Sequence, residues 1–173
     1  MKNIIVKNGL IAVAVIMGIQ IVAYVIFGLP EGIDFDRDEL LGYGGILLCL
    51  VFVFLGIREY HIKHGKSSFM KYLGIGSAIS TFPSIAFGIY SVIYYKWLYP
   101  DFLDNYGAYQ LEKMKASMSA QEFEVIQTQF QEDMAMWDSV GMQFTIMFIT
   151  VFVIGLIISI LSASYFQFKT SKS

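Results

Sequence analysis

Charged side chains are scarce in this chain. They make up 15% of its 173 residues, against about 25% in a typical soluble domain, while 56% are hydrophobic and the mean hydropathy is +0.60. That balance argues against a soluble enzyme. Cations are no more plentiful than acids: 12 against 14 give a net charge of −2, so no polycationic surface is available to hold nucleic acid. One cysteine, Cys49, lies inside an apolar run, which excludes an intramolecular disulfide and a cysteine-built metal site. No Walker loop, nucleophile elbow or zinc-protease helix occurs. No catalytic residue, cofactor site or metal site is therefore expected.

What is present is apolar length. Four runs, at about residues 10–29, 40–57, 72–95 and 140–166, each approach or exceed the roughly 20 residues that cross a 30 Å hydrocarbon layer at 1.5 Å per residue. The first follows Lys2 and Lys7 as a signal peptide would, but it is longer than the usual h-region of about 7–15 residues and no Ala-x-Ala-like cleavage site follows. The expected architecture is all-α: one integral membrane domain over residues 1–173, built as a four-helix transmembrane bundle with an outward helical hairpin between spans 3 and 4.

Charge segregation orients the spans. Lys2, Lys7, Arg58, Lys63, Lys66, Lys71, Lys169 and Lys172 fall on the termini and the middle loop, where Glu59 is the sole acid; the other 13 acids lie across the membrane with Arg37, Lys96, Lys113 and Lys115. Because cytoplasmic loops are enriched in Lys and Arg, both termini are expected in the cytoplasm. Tyr90, Tyr94, Tyr95, Trp97 and Tyr99 mark the outer boundary of the third span beside a snorkelling Lys96.

Within lipid, helix contact depends on close backbone approach, so small residues carry the information. Ser77, Ser80, Ser84, Gly88 and Ser91 recur at spacings of three and four on one face of the third span. We read this as its bundle-facing side rather than as a polar path, because small hydroxyls satisfy themselves on their own helix. Gly155, Ser159 and Ala163 form a similar series on the fourth span, and Ala14 with Gly18 a weaker one on the first. Pro83 cannot donate to the Ile79 carbonyl, which predicts a tolerated kink with Ser80, Thr81 or Ser84 helping to satisfy the freed group.

The outward segment, about residues 100–138, is too long and too patterned for a linker. Pro100 suits the first position of a helix, after which Leu103, Gly107, Leu111, Met114 and Met118 share one side. Ser119-Ala-Gln-Glu122 has capping-box spacing and opens a second helix, whose Phe123, Ile126, Phe130, Met134 and Trp137 form an amphipathic stripe. The two faces are expected to cover each other; the same five residues are the candidate partner surface. Over residues 96–138, three lysines against eight acids argue against adhesion to anionic headgroups through this segment.

No Asp, Glu, Lys, Arg or His falls within the apolar cores, which removes the usual hardware of proton relays and voltage sensing. Gln20 and Gln143 are expected to hydrogen-bond to neighbouring helices. His61 and His64, at i and i+3, lack a third convincing metal ligand and read as a solvated face. The acids Asp34, Asp36, Asp38 and Glu39 lack the loop glycine and terminal glutamate of an EF-hand and read as a topology determinant.

The outer end of the third span reads Ile-Tyr-Ser-Val-Ile-Tyr-Tyr-Lys-Trp-Leu-Tyr-Pro-Asp-Phe at residues 89–102, and its inner end Ser-Ser-Phe-Met-Lys-Tyr-Leu-Gly at residues 67–74. With four spans and a charged helical insert before the last, this pattern resembles the bacterial membrane-protein family catalogued as domain of unknown function 4199, over essentially the whole chain. The most distinctive piece is the aromatic cluster followed by Tyr99-Pro100-Asp101-Phe102. The resemblance implies a bacterial inner-membrane location, no established activity and no catalytic residues to carry over.

With the lipid bilayer as its environment, two functions compete. The favoured one is a non-enzymatic interaction or assembly protein that offers its hairpin to a protein partner; the alternative is a small carrier or channel subunit for neutral or lipidic molecules. A homo-oligomer would serve either, because four short spans enclose little volume.

Overall fold

The computed structural model describes residues 1–28, 35–137 and 139–169. Among them there is no strand; the order is α1 (Lys2–Phe27), α2 (Phe35–His64), α3 (Phe69–Ile93), a π-helical turn (Tyr94–Leu98), α4 (Phe102–Ser117), α5 (Ala120–Trp137) and α6 (Val140–Lys169). α1, α2, α3 with its π-helical extension, and α6 are long and apolar enough to cross a membrane. Leu29 of the first expected span, the acids Glu31 and Asp34, Asp138 and Lys172 lie outside the described residues.

The spanning helices run beyond their apolar runs. α2 continues past residue 57 to His64 because its ends suit the helix dipole, with Asp36 and Asp38 in the first turn and His61, Lys63 and His64 in the last. Gly65, at φ 75°, then stops it in a left-handed conformation, and its amide donates to the His61 carbonyl at 2.9 Å. At the other end Arg37 donates to Asp38 at 3.0 and 3.1 Å and lies 4.3 Å over the Phe27 ring, tying α2 to α1.

Two compact units divide the chain. The first, residues 1–87 and 147–173, holds α1, α2, most of α3 and most of α6. Its core is built from Ile16 of α1, Leu50, Val53 and Ile57 of α2, Tyr72, Ile75 and Ile79 of α3, and Val151 and Phe166 of α6. Backbones meet at small residues, as hydrocarbon surroundings require. A Cβ on Gly76 would collide with Ser159, and one on Gly155 with Ser80, so α3 and α6 interlock reciprocally at these two positions. α2 approaches both neighbours at Gly56, whose added Cβ would meet Ile79 and come within 3.3 Å of Asn8. Within the most apolar windows, 39% of α2 is buried against 11% of α1, consistent with outward apolar residues such as Val25 and Ile26 of α1 and Leu161 of α6 facing lipid.

α3 stays helical through Pro83, which is fully buried. The expected rescue of the Ile79 carbonyl by these hydroxyls is not what the structure shows. Ser80 donates to Gly76, Thr81 to Ser77 and Ser84 to Ser80, at 3.0, 3.0 and 2.8 Å, so each hydroxyl bonds four residues back and none of the three reaches Ile79. That i−4 geometry is the one a helical Ser or Thr rotamer offers.

The second unit, residues 88–146, holds the end of α3, the π-helical turn, α4, α5 and the first turns of α6. A Cβ on Gly88 would lie 2.8 Å from the Phe144 ring and 3.1 Å from its carbonyl oxygen, so the glycine permits this approach. Gln143, buried beside Phe144 in sequence, departs from expectation: neither its amide nitrogen nor its oxygen finds a hydrogen-bond partner among the described residues.

Candidate functional site

The hairpin is entered through an aromatic turn. The Tyr99 amide donates to the Tyr94 carbonyl at 2.8 Å, an i to i−5 bond that widens the helix end, and the Phe102 amide donates to Tyr99 at 3.1 Å. Pro100 therefore occupies the second position of a four-residue turn, where its fixed φ is an advantage, and not the first helical position expected from sequence; α4 begins at Phe102. Phe102 packs against Tyr94, Tyr95 and Tyr99 with centroids 5.7, 4.9 and 5.8 Å away, and stacks on Tyr106 at 5.7 Å. The Asn105 side-chain amide donates to the Tyr99 hydroxyl at 2.7 Å.

α4 and α5 face each other around one glycine. Gly107 is buried, and a Cβ there would lie 3.4 Å from the Met134 methyl and 3.9 Å from the Phe130 ring. The capping box at the start of α5 forms as its spacing predicts: the Glu122 amide donates to the Ser119 hydroxyl at 3.4 Å, while the Ser119 amide donates to Glu122 at 3.1 Å. The Ser119 hydroxyl and amide hold the Glu122 carboxyl below its ordinary pKa.

The five stripe residues of α5 divide into two groups. Phe123, Phe130 and Met134 are half-buried, whereas Ile126 is 40% and Trp137 37% exposed. Ile126 and Trp137 are eleven residues apart, three full turns, so they share one flank of the stripe. Glu122 and Asp133, both exposed, sit beside that flank. Of the α3 positions, Ser80, Pro83, Ser84 and Gly88 are buried and Ser77 is half-buried.

A second cluster lies at the α2–α3 loop. His61 is half-buried: its Nδ1 lies 2.6 Å from the Tyr72 hydroxyl, and its ring lies 5.1 Å from Phe166. His64 stacks on Tyr60 at 4.4 Å. The solvated face expected here is thus in part a packed aromatic closure, with the Ser67 amide donating to the Tyr72 hydroxyl at 2.9 Å. The signal was available: buried Ile46, Leu50, Val53, Ile57 and Tyr60 keep a spacing of three and four that continues to His61 and His64. Glu59, beyond the apolar run, accepts from Lys63 at 2.7 Å, Lys7 at 2.9 Å and Asn8 at 3.2 Å, and these donors hold its carboxyl far below its ordinary pKa.

Among known proteins, the family described as "Protein of unknown function (DUF4199)" matches residues 8–167. No curated protein and no solved structure matches the chain.

Proposed function

The chain belongs to the DUF4199 family, and from that premise we propose that it is a non-enzymatic interaction protein of the bacterial inner membrane. Both termini and the α2–α3 loop lie in the cytoplasm, and the α4–α5 hairpin is offered to a protein partner on the opposite side. The segregation of Lys and Arg supports this orientation.

One observation carries the reading. α5 engages Phe130 and Met134 at Gly107 but leaves Ile126 and Trp137 exposed on a single flank. An exposed tryptophan and an exposed aliphatic residue on the same helix flank have the composition of interface anchors. The adjoining acids, with eight acids against three lysines over residues 96–138, select a cationic partner segment with an apolar groove. The carrier reading draws less support, because the α3 hydroxyls of Ser80 and Ser84 are buried and donate to their own helix.

Photoreactive residues placed at Ile126, Trp137 and Thr128 in intact membranes test the proposal. We expect one discrete heterologous adduct from Ile126 and Trp137, absent from Thr128, which lies off that flank, and reduced several-fold by Asp133→Lys. Equal adducts at all three positions, or none, would overturn it. An adduct of twice the chain mass would replace the heterologous partner with a second copy.

A further inference from the structure

We propose that the shallow cleft on α2 lined by Leu55, Arg58, Glu59, Ile62 and Lys63 binds the phosphate of an anionic phospholipid. These residues lie at i, i+3, i+4, i+7 and i+8, on one face of α2, and straddle the end of its apolar run at about residue 57. From residue 57 to Lys63 the helix rises about 9 Å, so Leu55 sits at acyl depth while Arg58 and Lys63 reach the headgroup layer.

The charge arrangement suits an anion. The only acid among the described residues that line the cleft, Glu59, is already engaged by Lys7, Lys63 and Asn8. Lys7, Lys63 and Arg58 against Glu59 leave a local excess of two positive charges. Arg58 is exposed and pairs with no carboxylate among the described residues, unlike Lys7 and Lys63, which both engage Glu59. Its planar fork matches two phosphate oxygens, and the Lys63 ammonium, steadied by Glu59, lies one turn further on.

The apolar residues decide the source of the phosphate. Ile62 is 67% exposed between two cations, and Leu55 lies below it. An inorganic phosphate has no use for either, whereas a lipid lays its glycerol backbone and first acyl carbons against them while its phosphate meets Arg58. Basic pockets at the ends of membrane helices hold anionic headgroups by this combination of charge and apolar contact.

The test uses the full chain in neutral detergent, titrated with phosphatidylglycerol or phosphatidylcholine of identical acyl chains and read as lipid retained in native mass spectra. The wild type should retain phosphatidylglycerol in preference. Arg58→Gln should weaken that retention about tenfold, the loss of one charge-assisted contact, and Ile62→Ser should weaken it to a lesser degree. Arg37→Gln, which removes a cation elsewhere on α2, should leave it unchanged. Equal retention of both lipids, or full retention by Arg58→Gln with an unchanged melting profile, would overturn the proposal. Displacement of the lipid by millimolar glycerol phosphate would also overturn it, by showing that the site recognises free phosphate.

Discussion

Replacing Tyr72 with alanine should cost the protein about 3–5 kcal/mol, the range for removing a large buried aromatic side chain. Tyr72 is fully buried where the α2–α3 loop closes on the bundle, with Tyr60, His61 and Phe166 at centroid distances of 6.3, 5.9 and 6.1 Å. The truncation empties that space and also removes the hydroxyl that receives the Ser67 amide and meets His61. Tyr72→Phe separates the two effects: it keeps the ring and should cost about 1–3 kcal/mol for the unpaired groups left behind. Tyr43→Ala, at a position 48% exposed, should change little. The apparent melting temperature in detergent reports all three, and a Tyr72→Ala shift no larger than that of Tyr43→Ala would show that the loop closure does not hold the bundle.

Gly155→Leu should cost about 3 kcal/mol, at the upper end of what overpacking usually costs. Even a Cβ at this position overlaps the Ser80 side chain of α3 and comes within 3.2 Å of the Leu50 side chain of α2, and the Ser80 Cβ, fixed to its own helix, cannot swing aside as the end of a long side chain could. Neighbouring Ile157 is 52% exposed, so Ile157→Leu alters an outward face and should be nearly silent. Thermal aggregation of the purified protein, or recovery as a monodisperse species after extraction, distinguishes them. Equal behaviour of the two variants would mean that α3 and α6 do not approach at Gly76 and Gly155.

The parts of this structure that rest on simple periodicities were legible in advance. Charge is so sparse that the four spans stand out without ambiguity, and Ser119 with Glu122 announces α5 because a capping box has one spacing and one geometry. Other features depend on contacts that no local pattern encodes. The π-helical turn at residues 94–98 closes on an i to i−5 bond from the Tyr99 amide to the Tyr94 carbonyl, so Pro100 falls in a turn and not in a helix. Hydropathy ends the second span near residue 57, and although the spacing of the buried face continues to His61 and His64, it does not show that Tyr60 and His61 find Tyr72 and Phe166 across the interior. On α5 the sequence shows which side is apolar and not how much of it α4 covers; a seam centred on Gly107 is narrow, and Ile126 and Trp137 fall beyond it.

The proposed function requires that the hairpin and the α2–α3 loop lie on opposite sides of the membrane, and sidedness is the most direct measurement of that requirement. Single cysteines at Ser67 and Ser119, with Cys49 replaced by alanine, can be treated with an impermeant thiol reagent in spheroplasts and in inverted vesicles. Cys49 is buried, so its replacement removes background without touching either reporter. Ser119 precedes α5 and is exposed, and Ser67 lies in the loop before α3. The account predicts labelling of Ser119→Cys only in spheroplasts and of Ser67→Cys only in inverted vesicles; labelling of both positions from the same side would contradict it.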